Sequence, residues 1–179
     1  MQVQFIDDKD FIKYKFKTKP YKHQYDAFLK CKDKESYALF MEQGTGKSKV
    51  IIDNIAYLYR EGKIDTAVIA APKGVYRNWL SSEFNTHMPD DVKEFTEMLV
   101  WSPTETKSNI ESLTNFLKPN HNLKFFIINI EALSTDKGKN YLHRLLNSSK
   151  AFLCIDESTN IKNRTARRTK ACLKLGRLA

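Results

Sequence analysis

The sequence predicts an α/β fold with a central, mainly parallel sheet that carries helices on both faces. Short apolar runs alternate along the chain with amphipathic stretches of helical periodicity, an order typical of parallel α/β folds. The runs are apolar throughout, as strands buried between two helical layers are. The 179 residues, 41% of them hydrophobic, suffice for one well-cored domain. We see no linker or internal repeat that would divide it.

Five apolar runs are predicted to be strands. They are residues 37–40, 66–70, 98–101, 125–128 and 151–155. Helical spacing of apolar residues predicts helices at 21–32, 47–60, 74–86, 104–117, 139–146 and 165–175. Because parallel sheets bind ligands at the carboxyl ends of their strands, we expect the functional site there.

The first 19 residues are predicted to form a small hairpin that precedes the main domain. Val3 and Phe5 alternate with polar residues before the acidic stretch 7–10, which favours a turn, and alternation resumes at Ile12. The predicted domains are therefore an N-terminal hairpin or extension, 1–19, and a main domain, 20–179.

The chain is basic, with a formal net charge of +9. No acidic residue follows Glu157, whereas this last part of the chain has many lysines and arginines. They are Lys162, Arg164, Arg167, Arg168, Lys170, Lys174 and Arg177. Such a run is typical of a surface that binds phosphates and equally of a solvated helix face.

Cysteine usage and the absence of apolar spans favour an intracellular, reducing location, either cytoplasmic or associated with the nucleoid. Cys31, Cys154 and Cys172 are far apart and show no paired spacing, so neither a zinc cluster nor a disulfide framework is indicated. No apolar run approaches the ~20 residues of a membrane span, and the N-terminus lacks a signal-peptide pattern. The four histidines show no metal-binding spacing, and we assign none of them to chemistry.

A glycine-rich stretch before the predicted helix 47–60 has the composition of a phosphate-binding loop. Its glycines let backbone N–H groups converge on phosphate oxygens, next to the positive end of the helix. Lys47 would reach the β- and γ-phosphates, and the Ser48 hydroxyl would bind Mg²⁺. The predicted phosphate-binding residues are Gln43, Gly44, Thr45, Gly46, Lys47 and Ser48. Met41 stands where the usual pattern begins with glycine, so an ordinary glycine turn is the alternative.

Two adjacent carboxylates, Asp156 and Glu157, follow the apolar run 151–155. A nucleotide hydrolase needs such a pair, since one acid can hold Mg²⁺ while the other orients the attacking water. We assign the first role to Asp156 and the second to Glu157. The alternative is that the two acids are ordinary solvated loop residues. Because they occur together with the glycine-lysine-serine loop, a catalytic role is favoured, with ATP and Mg²⁺ as cofactors.

These two motifs, in this order, resemble the first RecA-like domain of superfamily 2 helicases and translocases. Residues 156–163, Asp-Glu-Ser-Thr-Asn-Ile-Lys-Asn, are similar to the acidic box of the Swi/Snf-like branch, which also tolerates a non-glycine residue at position 41. Residues 71–79 and 129–133 resemble two motifs that contact the nucleic-acid backbone.

The resemblance implies further site residues. Gln24 would read the adenine edge, as the glutamine upstream of the phosphate loop does in the family. Contacts with nucleic acid, DNA in preference to RNA, are expected from Lys73, Asn78, Lys162, Asn163 and Arg164. Trp79 belongs to the same motif, but its helical spacing with Leu80 and Phe84 predicts a core position instead.

The resemblance also implies a second RecA-like domain, in the full-length protein or as a separate chain. Motors of this type close two lobes around ATP, and the second lobe supplies arginines that stabilise the transition state. We therefore expect residues 1–179 alone to bind nucleotide and to hydrolyse it slowly.

Two other functions are compatible with the same motifs. A P-loop phosphotransferase would act on a small molecule, and stimulation by nucleosides would indicate it. A non-catalytic nucleic-acid-binding module would keep the fold without hydrolysis, and it would show no Mg²⁺-dependent ATP binding.

Overall fold

A computed structural model describes residues 4–157, 161, 163 and 165–179. The described residues form two compact units. The first comprises the described residues up to Lys63 together with Asn78–Glu94, and the second comprises Ile64–Arg77 with the described part of Phe95–Ala179. The phosphate loop belongs to the first unit and the acidic pair to the second.

Three helices and an aromatic cluster form the core of the first unit. The helices are α1 (Asp8–Tyr14), α2 (Lys22–Cys31) and α3 (Lys47–Arg60). Phe28 of α2 is 1% exposed, and its ring centroid lies 5.1 Å from that of Tyr14, 5.2 Å from that of Phe16 and 5.8 Å from that of Tyr57. These edge-on contacts join α1, α2 and α3. The predicted helix 47–60 is confirmed at both ends.

A buried ion pair lies on α3 one turn from the phosphate loop. Lys49 Nζ donates to Asp53 Oδ2 at 2.7 Å, with side chains 5% and 2% exposed. Burial raises the pKa of Asp53 to about 6, although Lys49 opposes the shift. His87 accepts or donates a 2.8 Å hydrogen bond with Thr18 Oγ1, and burial, aided by the Lys49 charge, lowers its pKa to about 4.

The segment 76–93 is helical with one wide turn. It contains α4 (Tyr76–Asn78), a π-helix (Trp79–Glu83), α5 (Phe84–His87) and α6 (Asp90–Lys93). Trp79 is 1% exposed, which confirms its predicted core position, whereas Leu80 is 36% exposed. The predicted helix 74–86 is therefore confirmed, with a π turn that periodicity did not predict.

The second unit is built on a parallel sheet. Its strands are β1 (Thr66–Ala71), β2 (Thr96–Val100), β3 (Leu123–Asn129) and β4 (Ala151–Ile155), in the order β2-β3-β1-β4. Every pairing is parallel. Strand β1 is buried along its whole length and β3 up to its last residue, while β2 and β4 are half-buried. The predicted parallel α/β fold is confirmed.

Helices α7 (Lys107–Phe116), α8 (Asp136–Asn147) and α9 (Arg167–Leu175) complete this unit, with a 3-10 helix at Ile130–Ser134. Their apolar faces pack in one cluster with Val68 of β1 and Phe126 of β3. Gly138 brings α8 close to the 3-10 helix, because a Cβ there would lie 2.6 Å from the carbonyl oxygen of Ala132. The core thus anchors all three helices.

Two predicted elements are wrong. Residues 37–40 are not a strand; Tyr37 is 49% and Phe40 97% exposed, and the apolar run forms no ladder with the described strands. The N-terminal hairpin is absent from the described residues, since 8–14 form α1 and one isolated bridge joins Phe5 to Tyr21. Acidic residues in the first turn of α1 complement the helix dipole, which explains why this stretch is helical rather than a turn.

None of the helices in the described part of the chain combines the length and apolarity that crossing a bilayer requires.

Candidate functional site

The loop before α3 has a backbone suited to phosphate binding. Gly44 and Gly46 have φ angles of 76° and 85°, in the left-handed region that glycine adopts at little cost. Helix α3 begins directly afterwards at Lys47, and its first turn reads Lys-Ser-Lys-Val. The partial positive charge of the helix end is therefore reinforced by the Lys47 ammonium, whereas Lys49 is buried and paired with Asp53. The helix start predicted at Lys47 is confirmed; phosphate binding stays a prediction.

The Lys47 ammonium is held by carbonyl groups of this loop. Nζ donates to the carbonyl oxygens of Met41 at 3.1 Å and Glu42 at 3.0 Å. Thr45 Oγ1 closes the loop by donating to the same Glu42 oxygen at 2.6 Å. An ammonium group forms stronger hydrogen bonds with a charged phosphate oxygen than with a neutral carbonyl oxygen. A bound phosphate can therefore replace the two carbonyl groups as partners of Lys47.

Gln24 and His23 of α2 hold the loop from outside. Gln24 Nε2 donates to the Thr45 carbonyl oxygen at 3.1 Å, and its Oε1 accepts from the Tyr21 amide at 3.0 Å. His23 Nε2 lies 3.0 Å from the same Thr45 oxygen. Gln24 is 6% exposed, so its amide is used within the protein. The adenine contact of Gln24 stays a prediction, and the structure gives this residue a further role in positioning the loop.

Gly46 makes room for the Gln24 amide. A Cβ at Gly46 would lie 2.3 Å from Gln24 Nε2, whereas a Cβ at Gly44 would meet no described atom within 4 Å. The two glycines therefore serve different purposes. Gly44 supplies a backbone conformation, and Gly46 supplies both a conformation and space. Sequence reasoning missed this contact and the contact of His23 with the loop. The available signal was that His23 and Gln24 are two polar residues in the first turn of α2.

The acidic pair lies at the carboxyl end of β4. The Asp156 amide donates to the Ala70 carbonyl oxygen at 2.9 Å, which continues the β1–β4 pairing by one residue. Glu157 has a φ of 53°, and its amide donates to Asp156 Oδ1 at 2.9 Å. Asp156 is half-buried and Glu157 is exposed. A non-glycine residue in the left-handed region is uncommon and recurs at functional sites.

Two further predicted motifs begin at this same edge of the sheet, where β1 and β3 end. Lys73 follows β1 and is exposed. Asn129 ends β3 opposite Ala71, and its Oδ1 accepts from the Ala132 amide at 2.9 Å, which caps the 3-10 helix. Parallel pairing therefore brings Lys73, Asn129 and Asp156 to one edge of the second unit.

Asn78 is exposed at the start of the π-helix. Its Nδ2 donates to Glu83 Oε1 at 3.3 Å, a contact between residues five apart that the π turn allows. The adjacent carboxylate fixes the amide but would repel a phosphate. Contact with nucleic acid at Asn78 stays a prediction.

Of the last three predicted nucleic-acid contacts, Asn163 is described. Its Oδ1 accepts from the Thr165 amide at 3.0 Å and from Thr165 Oγ1 at 2.7 Å, so it organises the turn before α9. Lys162 and Arg164 lie outside the described residues.

The family described as Type III restriction enzyme, res subunit (ResIII) matches residues 11–175. The chain belongs to this family. ResIII domains are helicase-like, ATP-dependent motor domains, so the resemblance to a superfamily 2 motor domain and the RecA-like fold are confirmed. The closer kinship with the Swi/Snf-like branch stays a prediction. Comparison with curated proteins finds no match.

The ResIII family uses a nucleotide and Mg²⁺, and the donor groups present fit both. The loop offers left-handed glycines, a helix start and the Lys47 ammonium to a polyphosphate. The Ser48 hydroxyl and the Asp156 carboxylate are oxygen ligands of the kind that Mg²⁺ prefers. The helicase-like character of the family indicates nucleic acid and a second domain as partners.

Proposed function

We propose that the chain is the nucleotide-binding part of a motor that couples ATP hydrolysis to movement along nucleic acid, with DNA as the preferred track. The observation that carries the proposal is the phosphate loop, with Lys47 at the first position of α3 and the loop fixed by Gln24. Membership of the ResIII family supports it.

Each polar residue of the motifs receives a role. Lys47 and the amides of residues 43–48 bind the phosphates, and Gln24 contacts the adenine while positioning the loop. Ser48 and Asp156 would hold Mg²⁺, and Glu157 would orient the attacking water and accept its proton. Bound ATP would supply the phosphoryl group whose transfer to water drives movement.

Lys73, Asn78 and residues 162–164 are proposed to contact the nucleic-acid backbone. Lys73 supports this role best, since its side chain is exposed at the sheet edge that also carries Asp156. Contacts with phosphates position a protein on nucleic acid without reading its sequence, as a motor that moves along its track requires.

Replacing Lys47 by alanine tests the nucleotide site. A hydrogen bond to a charged group contributes about 1.5–3 kcal/mol, so Mg·ATP affinity should fall by about 10- to 150-fold. Isothermal titration of the Lys47→Ala chain measures this, with Lys30→Ala on the exposed side of α2 as the matched control. Equal affinity in both variants would refute the proposed site.

Turnover tests the coupling. ATP hydrolysis by residues 1–179 alone is expected to be slow, because a second lobe would supply transition-state charge. Addition of duplex DNA should stimulate it, and Glu157→Gln should abolish the stimulated rate while leaving Mg·ATP affinity within about twofold. Stimulation by nucleosides, with none by nucleic acid, would instead indicate a phosphotransferase.

A further inference from the structure

Helix α9 presents a row of cations on its outward side. Its apolar residues Ala171, Cys172 and Leu175 are buried in the core that α8 and the 3-10 helix share. The four exposed cations, which we call the basic stripe, are Arg167, Lys170, Lys174 and Arg177.

The spacing of the basic stripe aligns it along one line. Steps of three, four and three residues, at about 100° per residue, keep the four side chains within an arc of about 80°. This arc lies opposite the buried residues of α9. Arg177 lies two residues beyond Leu175, the last residue of α9. Its amide still donates to the Lys174 carbonyl oxygen at 3.4 Å, so the chain continues close to the helical path.

The basic stripe is not held in ion pairs by the described residues. No carboxylate of the described part of the chain forms a salt bridge with any of the four cations. The pKa of Asp136 is lowered first by Lys139, whose Nζ lies 2.5 Å from Asp136 Oδ1, and then by the charge of Arg167. Like charges one turn apart, as in Lys170 and Lys174, repel each other. A bound polyanion would remove this repulsion.

We propose that the basic stripe of α9 contacts the phosphate backbone of nucleic acid, with residues additional to the predicted contacts Lys73, Asn78, Lys162, Asn163 and Arg164. The stripe extends about 15 Å at 1.5 Å per residue. One strand of a duplex presents a phosphate about every 3.4 Å of axis, so four cations face about four phosphates. The proposal rests on the proposed function for the presence of nucleic acid.

The composition of the stripe favours phosphates over a protein partner. Protein interfaces are enriched in aromatic residues and arginine and depleted of lysine. Two of the four cations of this face are lysines, and Leu173 is the exposed large apolar residue of α9, so the lysines and the lack of aromatic residues in α9 favour phosphates. The packing of Cys172 and Leu175 holds the cations on a fixed helix, so the stripe loses less backbone freedom on binding than a disordered basic tail.

The test compares two triple variants of the 179-residue chain. The stripe variant is Arg167→Gln, Lys170→Gln and Lys174→Gln; the control is Lys30→Gln, Lys34→Gln and Lys107→Gln, all exposed and of equal charge change. Fluorescence anisotropy measures affinity for a labelled duplex over about 50–200 mM salt. The slope of the logarithm of the binding constant against the logarithm of the salt concentration is compared with that of the unaltered chain. We expect it to be shallower by about 2–3 in the stripe variant and to change by less than about 1 in the control.

Each outcome decides. Circular dichroism and Mg·ATP affinity should match the unaltered chain in both variants, which shows that the fold and nucleotide site persist. Equal slopes in the two variants, with the unaltered chain binding DNA, would overturn the stripe proposal alone. Absence of DNA binding by the unaltered chain would overturn the proposed function as well. Poly-glutamate serves as a competitor at the same charge concentration as DNA. If it competes as strongly as DNA does, and if the stripe variant no longer responds to it, the stripe would be reassigned to binding an acidic protein.

Discussion

Replacing Gly46 by alanine tests whether the Gln24 amide fixes the phosphate loop. A side chain at a φ of 85° costs about 1–2 kcal/mol. The new Cβ, 2.3 Å from Gln24 Nε2, would also displace an amide that makes two hydrogen bonds. At about 0.5–1.5 kcal/mol each, their loss adds about 1–3 kcal/mol. We expect Gly46→Ala to lower the free energy of unfolding by about 2–5 kcal/mol.

Gly62 provides the matched control. Its φ is 65° and a Cβ there would meet no described atom within 4 Å, so Gly62→Ala carries only the backbone cost of about 1–2 kcal/mol. Urea-induced unfolding measures both variants. The difference between them, about 1–3 kcal/mol, isolates the displaced Gln24 amide.

A double-mutant cycle with Gln24→Ala completes the experiment. Once the amide is gone, Gly46→Ala should cost no more than Gly62→Ala, which corresponds to a coupling energy of about 1–3 kcal/mol. Additive effects, with a coupling energy near zero, would refute the contact between Gln24 and Gly46 and the positioning role that we derive from it.

Three further predictions concern the first unit. Phe28→Ala should lower the free energy of unfolding by about 3–5 kcal/mol, while Phe40→Ala, at a position 97% exposed, should change it by less than about 0.5 kcal/mol; similar values for both would contradict the aromatic core. Asp53→Ala leaves the Lys49 ammonium buried without its partner and should destabilise by about 3–5 kcal/mol in urea unfolding, and the added change Lys49→Met should restore most of this. Burial lowers the pKa of His87 from 6.5 to about 4. The contribution of the neutral His87 ring to the free energy of unfolding is therefore fully present above pH 6.5 and is lost as the pH falls toward 4. His87→Gln should therefore flatten the fall in stability over that range, and parallel pH profiles would count against the shift.

The elements of the second unit were predictable because its strands are continuous apolar runs. Residues 66–70 and 125–128 are apolar on both faces, and a parallel sheet is the arrangement that buries both. Helix α3 was predicted at both ends, since glycines precede it and apolar residues then recur at helical spacing. Local pattern and final structure agree at these positions.

The wrong elements depend on information that a local pattern lacks. The run 37–40 is apolar enough for a strand, but a strand also needs a hydrogen-bonded neighbour, and four residues cannot reveal whether one exists. In residues 7–10 three carboxylates fit a turn and a helix start equally well. The choice depends on Phe11 and Tyr14, which pack against the aromatic core only when this stretch is helical.

The residue types of the candidate site were predictable from the sequence, but the hydrogen bonds between these residues were predictable only in part. Glycines, Lys47 and the acidic pair were identified because their chemistry requires those residue types at that spacing. The hydrogen bonds from α2 to Thr45 join residues 21 and 22 positions apart, so no short pattern encodes them. The buried Lys49–Asp53 pair has a signal in the sequence, because opposite charges four residues apart lie on a largely apolar helix face.

The π turn between Trp79 and Glu83 bears on which insertions and deletions this segment tolerates. Trp79 and Phe84, both buried, are five residues apart; in an α-helix they would point about 140° apart. The wider turn, closed by the Phe84 amide on the Trp79 carbonyl oxygen, brings them to one face. Relatives that lack one residue between Trp79 and Phe84 are expected to have a regular α-helix with the same buried pair, so sequence alignments should place a single-residue gap here rather than shift the flanking motif.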